Sequence, residues 1–281
     1  MKIQYYGTGA GAGIPEIFCS CRVCEYARRE RGKEIRTRSQ AVIDGRLGID
    51  YPVDTFLHTL YNGLDMRKIT HVLITHAHHD HFLPADILSR PLGMQEPVRF
   101  YASEKTGAGL QKSIDAREEA FRTGKRIRTS DFQVEMHPLR FYEPTEILGY
   151  RVTPLRANHA ESVDAMIFLI ESEGKRVLWA HDTGLLHEEV FEYLKNSGIR
   201  LDLISLDCTL KRGEPITKHH MDLDWCVETV ETLRENRNLD GSTKIVLSHI
   251  GHLVERTHAE LSAEAAAYGM TVAYDGMTVE I

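Results

Sequence analysis

The apolar run His71-Val72-Leu73-Ile74 leads straight into Thr75-His76-Ala77-His78-His79-Asp80-His81. A buried strand ends there, and its last turn carries four imidazoles and a carboxylate within six positions. Burying such groups without partners costs several kcal/mol. The fold must therefore bring something to satisfy them. Neutral imidazole and carboxylate are the donors that bind zinc-like divalent cations. A solvated His-rich loop is the plainer alternative. An affinity tag would sit at a terminus and would not carry an internal Asp80.

The chain has 281 residues, 42% hydrophobic and 27% charged, a globular balance that fits one large domain or two small ones. That length buries a core without disulfide staples. A net charge of -7 argues against a general nucleic-acid binder. It leaves room for a small anionic substrate, since a metal site brings its own positive charge. No apolar run reaches the ~18 residues of a membrane span. Met1–Tyr6 lacks the apolar core of a signal segment and reads as a first strand. Five cysteines, three of them crowded, do not make a secreted disulfide framework, and a reducing, cytoplasmic setting follows.

Strands are expected at Lys2–Tyr6, Ser39–Asp44, Arg46–Asp50, His71–Ile74, Val98–Tyr101, Gln133–Met136, Tyr150–Arg156, Asp164–Ile170, Arg176–Ala180, Leu201–Leu206, Lys244–Leu247, Met270–Ala273 and Met277–Ile281. Helices are expected at Asp54–Tyr61 (capped by Asp54), Pro84–Leu92, Ser103–Arg122, Glu188–Ser197, Leu223–Arg234 and Thr257–Ala267. The Gly7–Gly13 cluster permits tight turns and close approach to a ligand. It is weak evidence for phosphate binding, because no helix starts cleanly behind it. Two sheets packed together with helices outside suit this order.

Metal-binding residue types recur at strand ends, in the His76–His81 segment, Asn158-His159, His181-Asp182 and His249 with His252, and again in His219-His220 just before an amphipathic helix. Each lone histidine is unremarkable. Together they resemble the metallo-β-lactamase superfamily, whose HxHxDH signature stands here as His76-x-His78-x-Asp80-His81. The resemblance covers essentially the whole chain. It implies an α/β fold, a four-layer αβ/βα sandwich forming a single domain over residues 1–281. It implies a binuclear site in which His76, His78 and His159 hold one metal, Asp80, His81 and His249 the second, and Asp182 bridges them. His79 falls outside that set. In such a site a hydroxide bridging the two cations attacks phosphorus in line, and Asp80 also orients the nucleophile. Zinc, manganese or iron suits these donors.

The phosphodiesterase branch of the family carries a histidine just before a helix, near the substrate phosphate. His220 is the better match here and His219 the rival. Imidazole suits proton donation to a leaving oxygen because it titrates near neutrality. The plain reading of both is a surface pair.

Cys19, Cys21 and Cys24 set three thiols within six residues, a spacing that in a reducing setting more often binds zinc than forms a disulfide. His252, three residues after His249, is the natural fourth ligand. A redox-active trio or three free thiols are the alternatives. The pattern resembles PhnP-like cyclic phosphodiesterases, and PqqB proteins carry a similar cluster. Cys208 and Cys226 read as packing residues.

The leading expectation is a phosphoric diester hydrolase with two divalent metals, zinc or manganese, and one structural zinc. Its substrate would be a small anionic phosphodiester, such as a ribose 1,2-cyclic phosphate. A PqqB-like, non-hydrolytic role in cofactor biosynthesis and a tRNA 3′-end nuclease are the other readings. The nuclease family uses a long exosite arm. The basic residues between Lys105 and Arg128 are interrupted by Asp115, Glu118 and Glu119, and they read as a solvated helical face. No membrane and no nucleic-acid partner is expected, and the sequence leaves a homodimer open.

Overall fold

The computed structural model describes residues 1–88, 96–121, 132–214 and 216–281, and for 117–121 the backbone alone. The apolar N-terminal segment forms β1 (Lys2–Gly7), with Ile3 and Tyr5 fully buried. Asp44-Gly45 turns the chain between β2 (Gln40–Ile43) and β3 (Leu47–Ile49), both turn residues lying at positive φ (49° and 69°). Such a turn matches the twist of the paired strands. The sheet continues through β4 (His71–Leu73), β5 (Val98–Ala102) and β6 (Val134–Pro138).

The second sheet contains β7 (Thr145–Ile147), β8 (Tyr150–Arg156), β9 (Met166–Ser172), β10 (Lys175–Ala180), β11 (Leu203–Asp207), β12 (Lys244–Ser248) and β13 (Thr271–Val272). The last strand, β14 (Thr278–Glu280), returns to β1. Among the described residues the strand orders are β14-β1-β2-β3-β4-β5-β6 and β13-β12-β11-β10-β9-β8-β7.

Helices cover the outer faces. They are α1 (Arg22–Glu30), α2 (Thr55–Tyr61), α3 (Pro84–Ile87), α4 (Glu104–Phe121), α5 (Glu188–Ser197), α6 (Leu223–Glu235) and α7 (His258–Ala266). Three apolar layers follow. Ile3, Tyr5, Leu73, Phe168, Val177 and Trp179 meet between the sheets. Val72, Phe100, Leu110 and Ile114 join the first sheet to its helices. Leu178, Ile204, Val190, Leu194, Val230 and Leu261 do the same for the second. The result is a four-layer αβ/βα sandwich, as expected. No helix among the described residues is long and apolar enough to cross a membrane.

Strands β3 to β6 run parallel, as do β10 to β13. Ligand sites gather beyond the carboxyl ends of parallel strands. Here β4, β10, β11 and β12 deliver His76, Asp182, Asp207 and His249 respectively.

Three details depart from expectation. Helix α1 and strand β7 carry too little apolar pattern to be read from sequence. α1 is capped by Cys21, whose sulfur accepts from the Cys24 amide. Asp54 stands at the N-cap of α2 without capping it. Its carboxylate instead accepts from the Arg38 amide at 2.8 Å and pairs with the Arg38 guanidinium at 3.1 Å. Of the expected helix Pro84–Leu92, residues beyond 88 lie outside the described ones, as do Arg122, Lys125, Arg126 and Arg128.

Trp179 is wholly buried between the sheets, on the strand that carries Asp182. Trp179→Ala is expected to cost about 3–5 kcal/mol of stability through the cavity it leaves. Urea denaturation checks this, and a loss under about 1 kcal/mol would contradict the packing described.

Candidate metal centre

Four strand ends and two loops converge on one rim. His76 Nε2 lies 2.9 Å from His78 Nδ1, and His78 Nδ1 lies 3.2 Å from His159 Nε2. Beside them His81 Nε2 is 3.3 Å from His249 Nε2 and 3.3 Å from Asp80 Oδ2. Asp182 joins the two groups through a single oxygen. Its Oδ2 is 3.1 Å from His76 Nε2 and 3.3 Å from His81 Nε2. The donor atoms of His76, His78, His159 and Asp182 lie within 4.8 Å of one another, as do those of Asp80, His81, Asp182 and His249.

These spacings suit donors grouped around a cation. Tetrahedral ligation at about 2.0–2.1 Å sets neighbouring nitrogens about 3.3 Å apart. Asp182 Oδ1 is buried and makes no hydrogen bond, although the ring nitrogens of His159 and His220 stand 3.4 and 3.1 Å away. A carboxylate oxygen left so costs free energy unless positive charge is near it. The surrounding imidazoles outweigh burial and hold Asp182 well below the usual carboxylate range. Burial pushes His159 down to about 4 and lowers His76, which leaves lone pairs for ligation. His81 goes the other way. Burial alone would lower it, but Asp50 and Asp80 raise it well above its ordinary value. A cation would take the place of that proton.

Behind the donors stands a set of groups that the sequence reading missed. Asp50 Oδ2 lies 2.7 Å from His81 Nδ1, and both residues are buried. Thr75 Oγ1 donates to Asp50 Oδ1 at 3.0 Å and stands 3.1 Å from His76 Nδ1. Asp207 Oδ2 lies 3.0 Å from His249 Nδ1, while its Oδ1 accepts from the Thr209 and Met221 amides. Such partners fix which ring nitrogen faces the metal. Their one signal in the sequence is an acid closing an apolar strand, as Asp50 and Asp207 each do. Asp50, Asp182 and His249 all lie at positive φ (64°, 52° and 54°), a backbone state uncommon outside glycine and held only by the surrounding structure.

His181, beside Asp182, points away from the cluster. Its Nδ1 meets Ser39 Oγ at 3.1 Å and its Nε2 meets Ser205 Oγ at 2.7 Å, with Tyr5 hydroxyl donating to the same serine. His79 is exposed, in neither group. His219 is exposed, whereas His220 is half-buried with Nδ1 3.1 Å from both Asp207 Oδ2 and Asp182 Oδ1. Burial would lower His220, but Asp207 outweighs it and holds the ring up at about 9. The glycine cluster serves close approach: a Cβ on Gly11 would stand 3.0 Å from Asp80 Oδ2.

A second cluster joins the N-terminal loop to the turn after His249. His252 Nδ1 is 3.4 Å from Cys19 Sγ and 3.6 Å from Cys21 Sγ, and the four donor atoms including Cys24 lie within 4.8 Å of one another. Backbone amides of Cys21, Cys24 and Glu16 point at the sulfurs. Burial opposes charge at Cys21, but the Cys24 amide, His252 and the neighbouring thiols overcome it and pull the thiol down to about 6. Arg28 ties the loop by donating to the carbonyls of Cys19 (2.6 Å) and Glu16 (2.7 Å). Cys208 and Cys226 are fully buried in the core.

The beta-lactamase superfamily domain model matches residues 49–250, from the strand before the His cluster to the turn after His249. The chain belongs to that superfamily. A diphosphatase of the PhnP family is similar over 100% of this chain and 97% of its own, at 27% identity and a TM-score of 0.72. This metallo-β-lactamase-fold chain therefore stands near the PhnP-like branch. Zinc-bound PqqB from Methylobacterium extorquens (21% identity, TM-score 0.69, all of both chains) shares the fold. So does the short form of human tRNase Z (18% identity, TM-score 0.65, 100% and 99% of the chains). Among curated proteins, an octanoyltransferase of Porphyromonas gingivalis is 30% identical over 164 residues, 57% of this chain. The chain spans only 31% of that protein's length.

Gly184 follows Asp182 closely, and a Cβ there would lie 1.8 Å from the Lys218 carbonyl oxygen. Gly184→Ala must push the 217–220 loop outward. The imidazole NMR signals of His219 and His220 are expected to shift and Tm to fall, and unchanged signals would refute this packing.

Proposed function

We propose that the chain is a binuclear metal-dependent hydrolase of small phosphodiesters, cyclic ones such as a ribose 1,2-cyclic phosphate included. Asp182 carries this reading: one carboxylate oxygen stands against a nitrogen from each of two donor groups. His76, His78 and His159 would hold one cation, Asp80, His81 and His249 the other, with Asp182 shared. Two divalent ions there supply Lewis acidity and an activated water near neutral pH. Only Asp80 and Asp182 oppose their charge within the two groups, which leaves a positive site for a phosphodiester anion.

The protein groups divide the remaining work. Asp80, under Gly11, is placed to orient the attacking nucleophile. His220 has Nδ1 at 3.1 Å from Asp207, so its other nitrogen is left to deliver a proton to the leaving oxygen. His219 is exposed and pairs with no carboxylate among the described residues, and His220 is the preferred acid. The likeness to a PhnP-family diphosphatase supports phosphorus chemistry at this site. Cys19, Cys21, Cys24 and His252 would hold a structural zinc that clamps the N-terminal loop to the turn bearing His249.

Turnover of bis(p-nitrophenyl) phosphate with added manganese or zinc tests the reading. Wild type is expected to be active, and on a cyclic or dialkyl phosphodiester, whose alkoxide needs a proton to leave, His220→Ala is expected to lose about 10²–10⁴-fold in kcat. No turnover by fully metallated protein would overturn hydrolysis and favour a non-hydrolytic, PqqB-like role.

Cys21→Ser is expected to lower folding yield and zinc content together. Unaltered zinc stoichiometry by elemental analysis would remove the structural site.

A further inference from the structure

A cavity of about 460 Å³ opens beside the metal centre, with His159 forming part of its wall. Its other polar groups are Arg156, Asn158, Glu161, Asp164, His187 and His219. His219, the neighbour of His220 in the chain, also lines it, and the His220 ring centroid is 5.7 Å from that of His159. If His220 protonates the leaving oxygen of a linear diester, the departing alcohol has this cavity nearby.

The charges lining it decide what that alcohol can be. Among the described residues Arg156 is the only arginine or lysine lining the cavity, and it is already engaged: its Nε lies 3.2 Å from Glu189 Oε1, and its guanidinium lies 4.3 Å from the centroid of the Phe141 ring. Asp164 is paired with Lys105 at 2.9 Å, and Lys105 also donates to the Glu161 carbonyl. Counting Arg156, Lys105, Glu161, Asp164 and Glu189, with the histidines neutral, two cations face three carboxylates. A second phosphate would meet repulsion here and no unpaired cation to offset it. Carboxylates, an amide and imidazoles together both donate and accept, which is what hydroxyl groups require. Asn158 is held in place by donating to the Leu185 carbonyl at 2.9 Å.

We propose that this cavity is the leaving-group subsite, and that Asp164 and Glu161 select an uncharged, polyhydroxylated alcohol over one carrying a further phosphate. The inference rests on the phosphodiesterase reading of the metal centre. Three substrates test it with the metallated full-length protein: glycerophosphoglycerol, diethyl phosphate and glycerophosphoglycerol with a second, terminal phosphate (a diphosphate with its phosphates on separate hydroxyls). Wild type is expected to prefer glycerophosphoglycerol over each of the others by at least about tenfold in kcat/KM, the effect of about one charge-assisted hydrogen bond. Asp164→Ala (a half-buried position) and Glu161→Ala (an exposed one) are each expected to lower the kcat/KM ratio of glycerophosphoglycerol to bis(p-nitrophenyl) phosphate about tenfold. An unchanged ratio in both variants overturns the subsite while leaving the metal centre's assignment standing. So does a wild-type preference for the diphosphate. No turnover of any diester overturns both together.

Discussion

Asp182 is the residue on which the arrangement depends. Its Oδ2 is the point where one imidazole of each donor group, His76 and His81, comes within 3.3 Å of one carboxylate. His76 and His81 follow a strand of the first sheet and Asp182 follows a strand of the second. The site therefore exists only when the two sheets are packed in one relation. Tyr5, Trp179 and Phe168 in the layer between the sheets set that relation. Interiors packed at crystal-like density do not slide by fractions of an ångström without cost. The apolar core acts on the chemistry in this direct sense.

A cluster of this kind is unfavourable by itself. It gathers buried imidazoles and carboxylates, one oxygen of which makes no hydrogen bond, on backbone turns held at positive φ. The fold offsets part of this with Asp50 and Asp207, which hold the outer nitrogens of His81 and His249. Those two carboxylates also add negative charge to a place already rich in it, and cations are the natural remedy. The Cys19–His252 cluster applies the same physics at a distance. It fastens the loop after β1 to the turn after β12, where Gly9 already pairs with Ile250, and so steadies His249 from outside.

The parts of the fold legible in the sequence were those with strong periodicity. Strand β8 and helix α5 fall where the alternation and the amphipathic spacing put them. The HxHxDH segment and the isolated histidines could be gathered into one centre before any coordinates only through the resemblance of their motifs to the metallo-β-lactamase superfamily. Helix α1 escaped because its sequence, Arg22 to Glu30, is mostly charged, and it buries only Val23, Cys24 and Ala27. Asp50 and Asp207 escaped for a different reason. A carboxylate behind a histidine is defined by three-dimensional contact, and residues 50 and 81 or 207 and 249 share no local pattern. Asp54 shows the converse error. Its position fits a helix cap, but Arg38, brought close by the fold, takes its carboxylate instead.

Asp207 also links the two halves of the chemistry. Its Oδ2 stands 3.0 Å from His249 and 3.1 Å from His220, so one oxygen orients a candidate metal ligand and a candidate proton donor. Its other oxygen holds the amide of Met221, next to His220. Any shift of the loop carrying His220 must therefore be felt at His249, and displacement of His249 at the loop. Gly184 sets the far side of the same loop, since its missing side chain lets the Lys218 carbonyl come close. The loop is thus held between a carboxylate that pulls on one residue and a glycine that leaves room for another. That confines His220 beside Asp207 and Asp182, next to the candidate metal ligands.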